Sequence, residues 1–99
     1  MITSTKVIHK KDSHLYSDVV LIDRTTKFGN PFRLSDYDND RKKVLLMYEE
    51  YLLTNRDLCD TVYKELKGKV LACWCKPKTC HGDVIAEYIN KREIAELFG

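Results

Sequence analysis

The sequence predicts a small single-domain α/β fold, a sheet with mainly parallel core strands flanked by helices. Three observations predict it. Two short, continuous apolar runs, Val19-Val20-Leu21-Ile22 and Val70-Leu71-Ala72-Cys73-Trp74-Cys75, read as buried strands. Helix-spaced apolar residues separate and follow these runs. Each run opens into a loop at its C-terminal end, where parallel sheets bind ligands.

Composition sets the frame. The chain has 99 residues, 43% of them apolar and 32% charged, which suits one domain over residues 1–99. So short a chain shields roughly 60–65% of its unfolded surface, so a staple, a metal or a partner would add stability. Seventeen Lys and Arg against 15 Asp and Glu leave a net charge of +2, too balanced to signal nucleic acid by charge alone. A membrane span needs about 20 apolar residues, and no run approaches that length. Residues 1–6 carry no apolar signal region, so a cytoplasmic location is expected, where thiols stay reduced or bind metal.

Along the chain, residues 6–9 form a short first strand and residues 10–17 a polar loop. Residues 18–23 form the second strand. Gly29-Asn30-Pro31 then marks a turn that no helix or strand interior tolerates. Asp36 or Asp38 caps the first helix. Val44, Tyr48, Tyr51 and Leu52 fall at i, i+4, i+7 and i+8, one apolar face running to about Leu53. Leu58, Val62 and Leu66 give the second helix its face, Cys59 joins the core, and Gly68 stops the helix. Residues 69–75 form the third strand. Thr79 caps the next helix and Asp83 puts negative charge in its first turn. Val84, Ile85, Tyr88 and Ile89 form its core face. Residues 90–92 break it before a terminal helix over 93–98.

Two segments carry candidate chemistry. In the first, Cys73, Cys75, Cys80 and His81 fall within nine residues. Thiolates and imidazole suit tetrahedral zinc, although gaps of one, four and no residues match zinc knuckles poorly. The other reading uses the helix start. Free N–H groups there favour an anion, Gly82 allows close backbone approach, and the field lowers the pKa of Cys80. Cys80 is then a nucleophile or phosphate contact, and His81 or Asp83 the acid/base group. The plain alternative makes these cysteines small hydrophobes of the core.

In the second segment, Asp23, Arg24, Lys27 and Asn30 sit in the loop after the second strand. Arg24 and Lys27 suit phosphate. Asn30 can read a base edge or a sugar. Phe28 and Phe32 either stack on a base or plug the core. The short basic runs Lys10-Lys11 and Arg41-Lys42-Lys43 read as solvated faces, and His9 and His14 have no assigned role.

Ile22-Asp23-Arg24-Thr25-Thr26-Lys27-Phe28-Gly29-Asn30-Pro31-Phe32 resembles the opening motif of a family called domain of unknown function 4326. Gly68-Lys69-Val70-Leu71-Ala72-Cys73-Trp74-Cys75, then Pro77 and Cys80-His81-Gly82-Asp83-Val84, resembles its closing motif. Arg41, Tyr48 and Leu52 fit the family's helix. The likeness covers about residues 18–90, and Phe28 stands where the family usually has tryptophan. The closing motif is also similar to that of domain of unknown function 488, which keeps a Cys-His at a helix start without the Cys-x-Cys. The resemblance implies a phage or bacterial cytoplasmic protein, in the host cytoplasm if phage-encoded. It names no activity.

The expectation is therefore a domain that binds or processes a nucleotide or another phosphate-bearing ligand through two converging loops. The alternative is a zinc-stiffened, non-enzymatic module that binds nucleic acid or inhibits a host protein.

Overall fold

A computed structural model describes residues 5–23, 26–74, 78 and 80–98. Strand β1 (Lys6–His9) leads into a 3-10 helical turn (Lys10–Leu15) and then β2 (Val19–Leu21). A second 3-10 turn (Leu34–Tyr37) precedes helices α1 (Arg41–Thr54) and α2 (Arg56–Leu66). Strand β3 (Val70–Cys73) and helix α3 (His81–Phe98) complete the order. Both pairings are parallel and the strand order is β1-β3-β2. β3 is thus central, and its residues 71–73 are buried, as a continuous apolar run in a parallel sheet should be. The fold is the small α/β sheet that the apolar runs announce.

The helices bury the spaced residues. Val44, Tyr48 and Leu52 of α1, Cys59, Val62 and Leu66 of α2, and Ile85 and Ile89 of α3 are all buried. All of these except Val44 meet Ile22 and Leu71 in one core. α3 packs on β1 and β3, and α1 and α2 pack on α3.

Details depart from the sequence expectation for local reasons. The α1 cap is Asp40, whose carboxylate accepts from Lys43 N at 3.1 Å. Asp38 instead has φ 54°, and Asn39 φ 56°, in the left-handed turn that ends the 3-10 segment. Asx side chains tolerate that region better than most. Asp36 lies inside the 3-10 turn. Gly68 adopts φ 77° and ends α2 as expected.

α3 is one continuous helix across residues 90–92, not two. Asn90 does not break it, because its amide serves tertiary structure. Oδ1 accepts from Thr5 N and Nδ2 donates to Thr5 O, both at 3.2 Å. Thr5 Oγ1 in turn accepts from Gly68 N at 2.8 Å, tying the start of β1 to α3 and to the α2–β3 turn.

Candidate functional site

A cleft of about 460 Å³ opens beside the C-terminal ends of β2 and β3. Asp23 and Asn30 of the opening loop line it together with Cys73, Trp74, Cys80 and His81 of the closing segment. The two loops therefore converge, as strand-end loops of a parallel sheet can. Arg33, Ser35, Asn39 and Arg41 add polar wall from the 3-10 segment and the start of α1, and Phe32 is among the apolar lining.

Each side chain has a specific anchor. Asp23 Oδ2 accepts from Trp74 Nε1 at 3.1 Å, and the Asp23 carbonyl accepts from Thr26 N at 3.0 Å. Asn30, 8% exposed, accepts from Phe32 N at 2.8 Å through Oδ1, an Asx turn. Trp74 remains 61% exposed, with His9 edge-on at 6.0 Å between ring centroids and Lys10 Nζ 6.0 Å from its ring. The indole is thus oriented but open. His9 also accepts from Lys11 N at 3.0 Å, which caps the first 3-10 turn.

His81 and Cys80 face the protein as much as the cleft. His81 Nε2 lies 2.6 Å from the Ile22 carbonyl oxygen. A carbonyl only accepts, so Nε2 carries the proton and donates. Its ring meets Tyr48 edge-on at 5.2 Å. Cys80 is 1% exposed, with Sγ 3.0 Å from Cys73 Sγ. That hydrogen bond, then burial, pushes the Cys80 thiol well above its ordinary pKa. This reverses the expectation of a thiol activated by the helix field, because the neighbouring sulfur and the apolar surroundings outweigh the dipole.

Three other expected roles shift. Asp83 Oδ2 accepts from Cys80 N at 2.9 Å, closing the helix start in the manner of a capping box. A carboxylate, not an exogenous anion, meets that N–H. A Cβ on Gly82 would stand 2.7 Å from Ile22 Cδ1 and 3.0 Å from Val7 Cγ1. Gly82 therefore lets α3 approach the sheet, and Ile22 and Val7 fill the space once expected for a ligand. Lys27 does not line the cleft; its Nζ pairs with Glu65 Oε2 of α2 at 2.8 Å. Arg24 lies outside the described residues. Phe28 is 5% exposed and belongs to the core, so it offers no stacking face. Phe32 is half-buried, edge-on to Tyr37 and Tyr51.

Among the described residues the cations lining the cleft are Arg33, which has no role in the sequence reading, and Arg41, read there as part of a solvated basic run and as fitting the family's helix. The lining aromatics are Phe32, a candidate from sequence, and Trp74, for which sequence assigns no role. Arg41 follows the Asp38-Asn39-Asp40 turn, whose residue types are the signal that the chain reverses there.

The two motifs that meet at this cleft fall within residues 5–91, the stretch matched by the family model "Domain of unknown function (DUF4326)". The chain belongs to this family. The DUF4326 chain is also 31% identical over 74 residues to an "Uncharacterized 12.4 kDa protein in nrdA-td intergenic region" of Enterobacteria phage T4. The match covers 73% of this chain and 68% of the phage protein. No solved structure matches. Among the described residues, no helix of the DUF4326 chain is long and apolar enough to cross a membrane.

The zinc set Cys73, Cys75, Cys80 and His81 can be tested against this geometry in part, since Cys75 lies outside the described residues. No group of three or more His, Cys, Asp or Glu suited to a metal occurs among the described residues. Two thiolates on a tetrahedral zinc would sit about 3.8 Å apart. The Cys73 and Cys80 sulfurs are closer, at 3.0 Å, and the His81 Nε2 proton is engaged by Ile22.

Proposed function

We propose that this DUF4326 domain binds a nucleotide, or a closely related phosphate-bearing ligand, in the cleft between the opening and closing loops. The observation that carries this reading is the pairing of an oriented, exposed Trp74 with Arg33 and Arg41 on the same cleft. An exposed indole offers a base a stacking face, a contact worth about 1–3 kcal/mol. Guanidinium groups match phosphate oxygens in a fork geometry that lysine lacks. Asp23 and Asn30 add polar contacts for a sugar or base edge.

The phosphate-holding role moves from Lys27 and the helix start to these arginines. The proposal extends to a site of action in the host cytoplasm if the chain is phage-encoded, which the phage relative supports.

Trp74 is the sole tryptophan of the chain, so its emission reports the cleft directly. The test is a fluorescence and thermal-shift titration with a panel of nucleotides and sugar phosphates, on wild type, Arg41→Ala and Trp74→Ala. A bound nucleotide should quench Trp74 and raise Tm, by about 2.7 kcal/mol of stability at 100 times Kd. Arg41→Ala should weaken ligands with phosphate and leave the bare nucleoside unaffected. Absence of any response across the panel overturns the reading.

A further inference from the structure

We propose that Cys73 and Cys80 form a modification site, a buried dithiol that peroxide oxidises to an intramolecular disulfide across the floor of the cleft. The two sulfurs lie 3.0 Å apart, with both residues 1% exposed. A disulfide needs about 2.05 Å, so closure asks for a movement of roughly 1 Å. Cys73 ends β3 and Cys80 immediately precedes α3, so the partners come from two anchored elements. Both residues line the cleft, which gives a small oxidant a path to them. Cys59, the other described thiol, is placed differently, donating to the Leu52 carbonyl at 2.9 Å inside the helical core.

The chemistry balances with a peroxide as oxidant. One thiol sulfur attacks the peroxide oxygen, giving a sulfenic acid and releasing water. The second sulfur then attacks the sulfenic sulfur, the S–S bond forms, and a second water leaves. Two thiols are oxidised by two electrons and one peroxide is reduced. Trp74 follows Cys73 directly in sequence, so the modification and the proposed ligand meet at one place. The inference itself holds for the protein without ligand.

The experiment treats the reduced protein with hydrogen peroxide, removes the excess, and counts thiols after denaturation. Wild type should lose two of its four thiols and 2 Da of mass, form no covalent dimer, and regain both thiols with dithiothreitol. Peptide mapping should show residue 73 linked to residue 80. Cys80→Ser should keep its three thiols under the same exposure. Mapping of wild type requires no variant to fold. Full retention of thiols in wild type, a bridge that includes Cys59 or Cys75, or a covalent dimer overturns the proposal.

Discussion

His81 donates from Nε2 to the carbonyl oxygen of Ile22 at 2.6 Å, joining the start of α3 to the end of β2. The Ile22 amide is also taken, by the Ala72 carbonyl at 3.1 Å, and Ile22 is fully buried. One side chain therefore satisfies the carbonyl of the residue that follows β2, at the point where the chain turns into the cleft. His81 is 8% exposed, so water has little access to replace it. Its place in this contact explains why Cys and His stand side by side at the helix start: one faces β3, the other β2.

His81→Phe keeps the ring against Tyr48 but removes the donor. Leaving a buried carbonyl unpaired costs about 1–3 kcal/mol. Urea unfolding should show that loss as a lower midpoint with an unchanged slope. A change below about 0.3 kcal/mol would mean that the carbonyl finds another donor.

Gly82→Ala gains helix propensity of about 1 kcal/mol. Against that, the new methyl meets Ile22 Cδ1 at 2.7 Å and Val7 Cγ1 at 3.0 Å, both on the sheet. Overpacking costs typically about 1–3 kcal/mol, so the net effect is destabilising. Ile22→Val deletes the Cδ1 atom in the way. The double variant Gly82→Ala with Ile22→Val should therefore be more stable than the sum of the single losses predicts, by about 0.5 kcal/mol or more. Additive losses in a thermal or urea cycle would refute the close approach of α3.

Much of the scaffold was legible because it rests on periodicity. Val44, Tyr48 and Leu52 repeat every four residues and are all buried, and the runs at 19–21 and 70–73 are strands. The opening and closing loops could be paired because a parallel sheet puts its strand ends together. Partners distant in sequence lie where periodicity is silent. Lys27 looked like a phosphate ligand from its type, but its direction is set by Glu65, 38 residues away. Asn90 looked like a breaker, but its partner is Thr5, 85 residues away. Arg33 precedes a 3-10 turn and Arg41 follows a pair of left-handed residues, and no apolar pattern announces that either reaches the cleft.

Alkaline pH should weaken the fold in two stages. The Cys80 thiol is pushed well up by Cys73 and burial, and the Tyr48 phenol well up by burial. Both are acids whose neutral forms the fold favours. Their contributions are complete below the unfolded values, about 8.5 for cysteine and about 10 for tyrosine, and decline as pH rises above each. Tyr48→Phe loses only a long hydrogen bond to the Phe28 carbonyl, at 3.4 Å. At neutral pH it should cost about 0.5–1.5 kcal/mol. Above about pH 10 its Tm should fall less steeply than that of wild type, while the decline between about pH 8.5 and 10 persists. Parallel Tm curves over the whole alkaline range would show that Tyr48 does not carry the second stage.

Asp23→Ala separates orientation of the indole from stability of the fold. The Asp23–Trp74 hydrogen bond is exposed, at 3.1 Å, and Trp74 is 61% exposed. Surface changes of this kind alter stability by about 0.5 kcal/mol or less, so Tm should barely move. The indole, however, loses the Nε1 bond to Asp23 and keeps the edge contact with His9 and the approach of Lys10 Nζ. Its fluorescence anisotropy should drop as the ring samples more rotamers. Binding of a nucleotide should weaken by at least the cost of immobilising the freed side chain, about 0.5–1.5 kcal/mol or roughly 2- to 13-fold in Kd, with loss of the Asp23 polar contact adding to it. Lower anisotropy with unchanged nucleotide affinity would show that the ligand does not stack on Trp74, and would redirect the binding mode to the arginine side of the cleft.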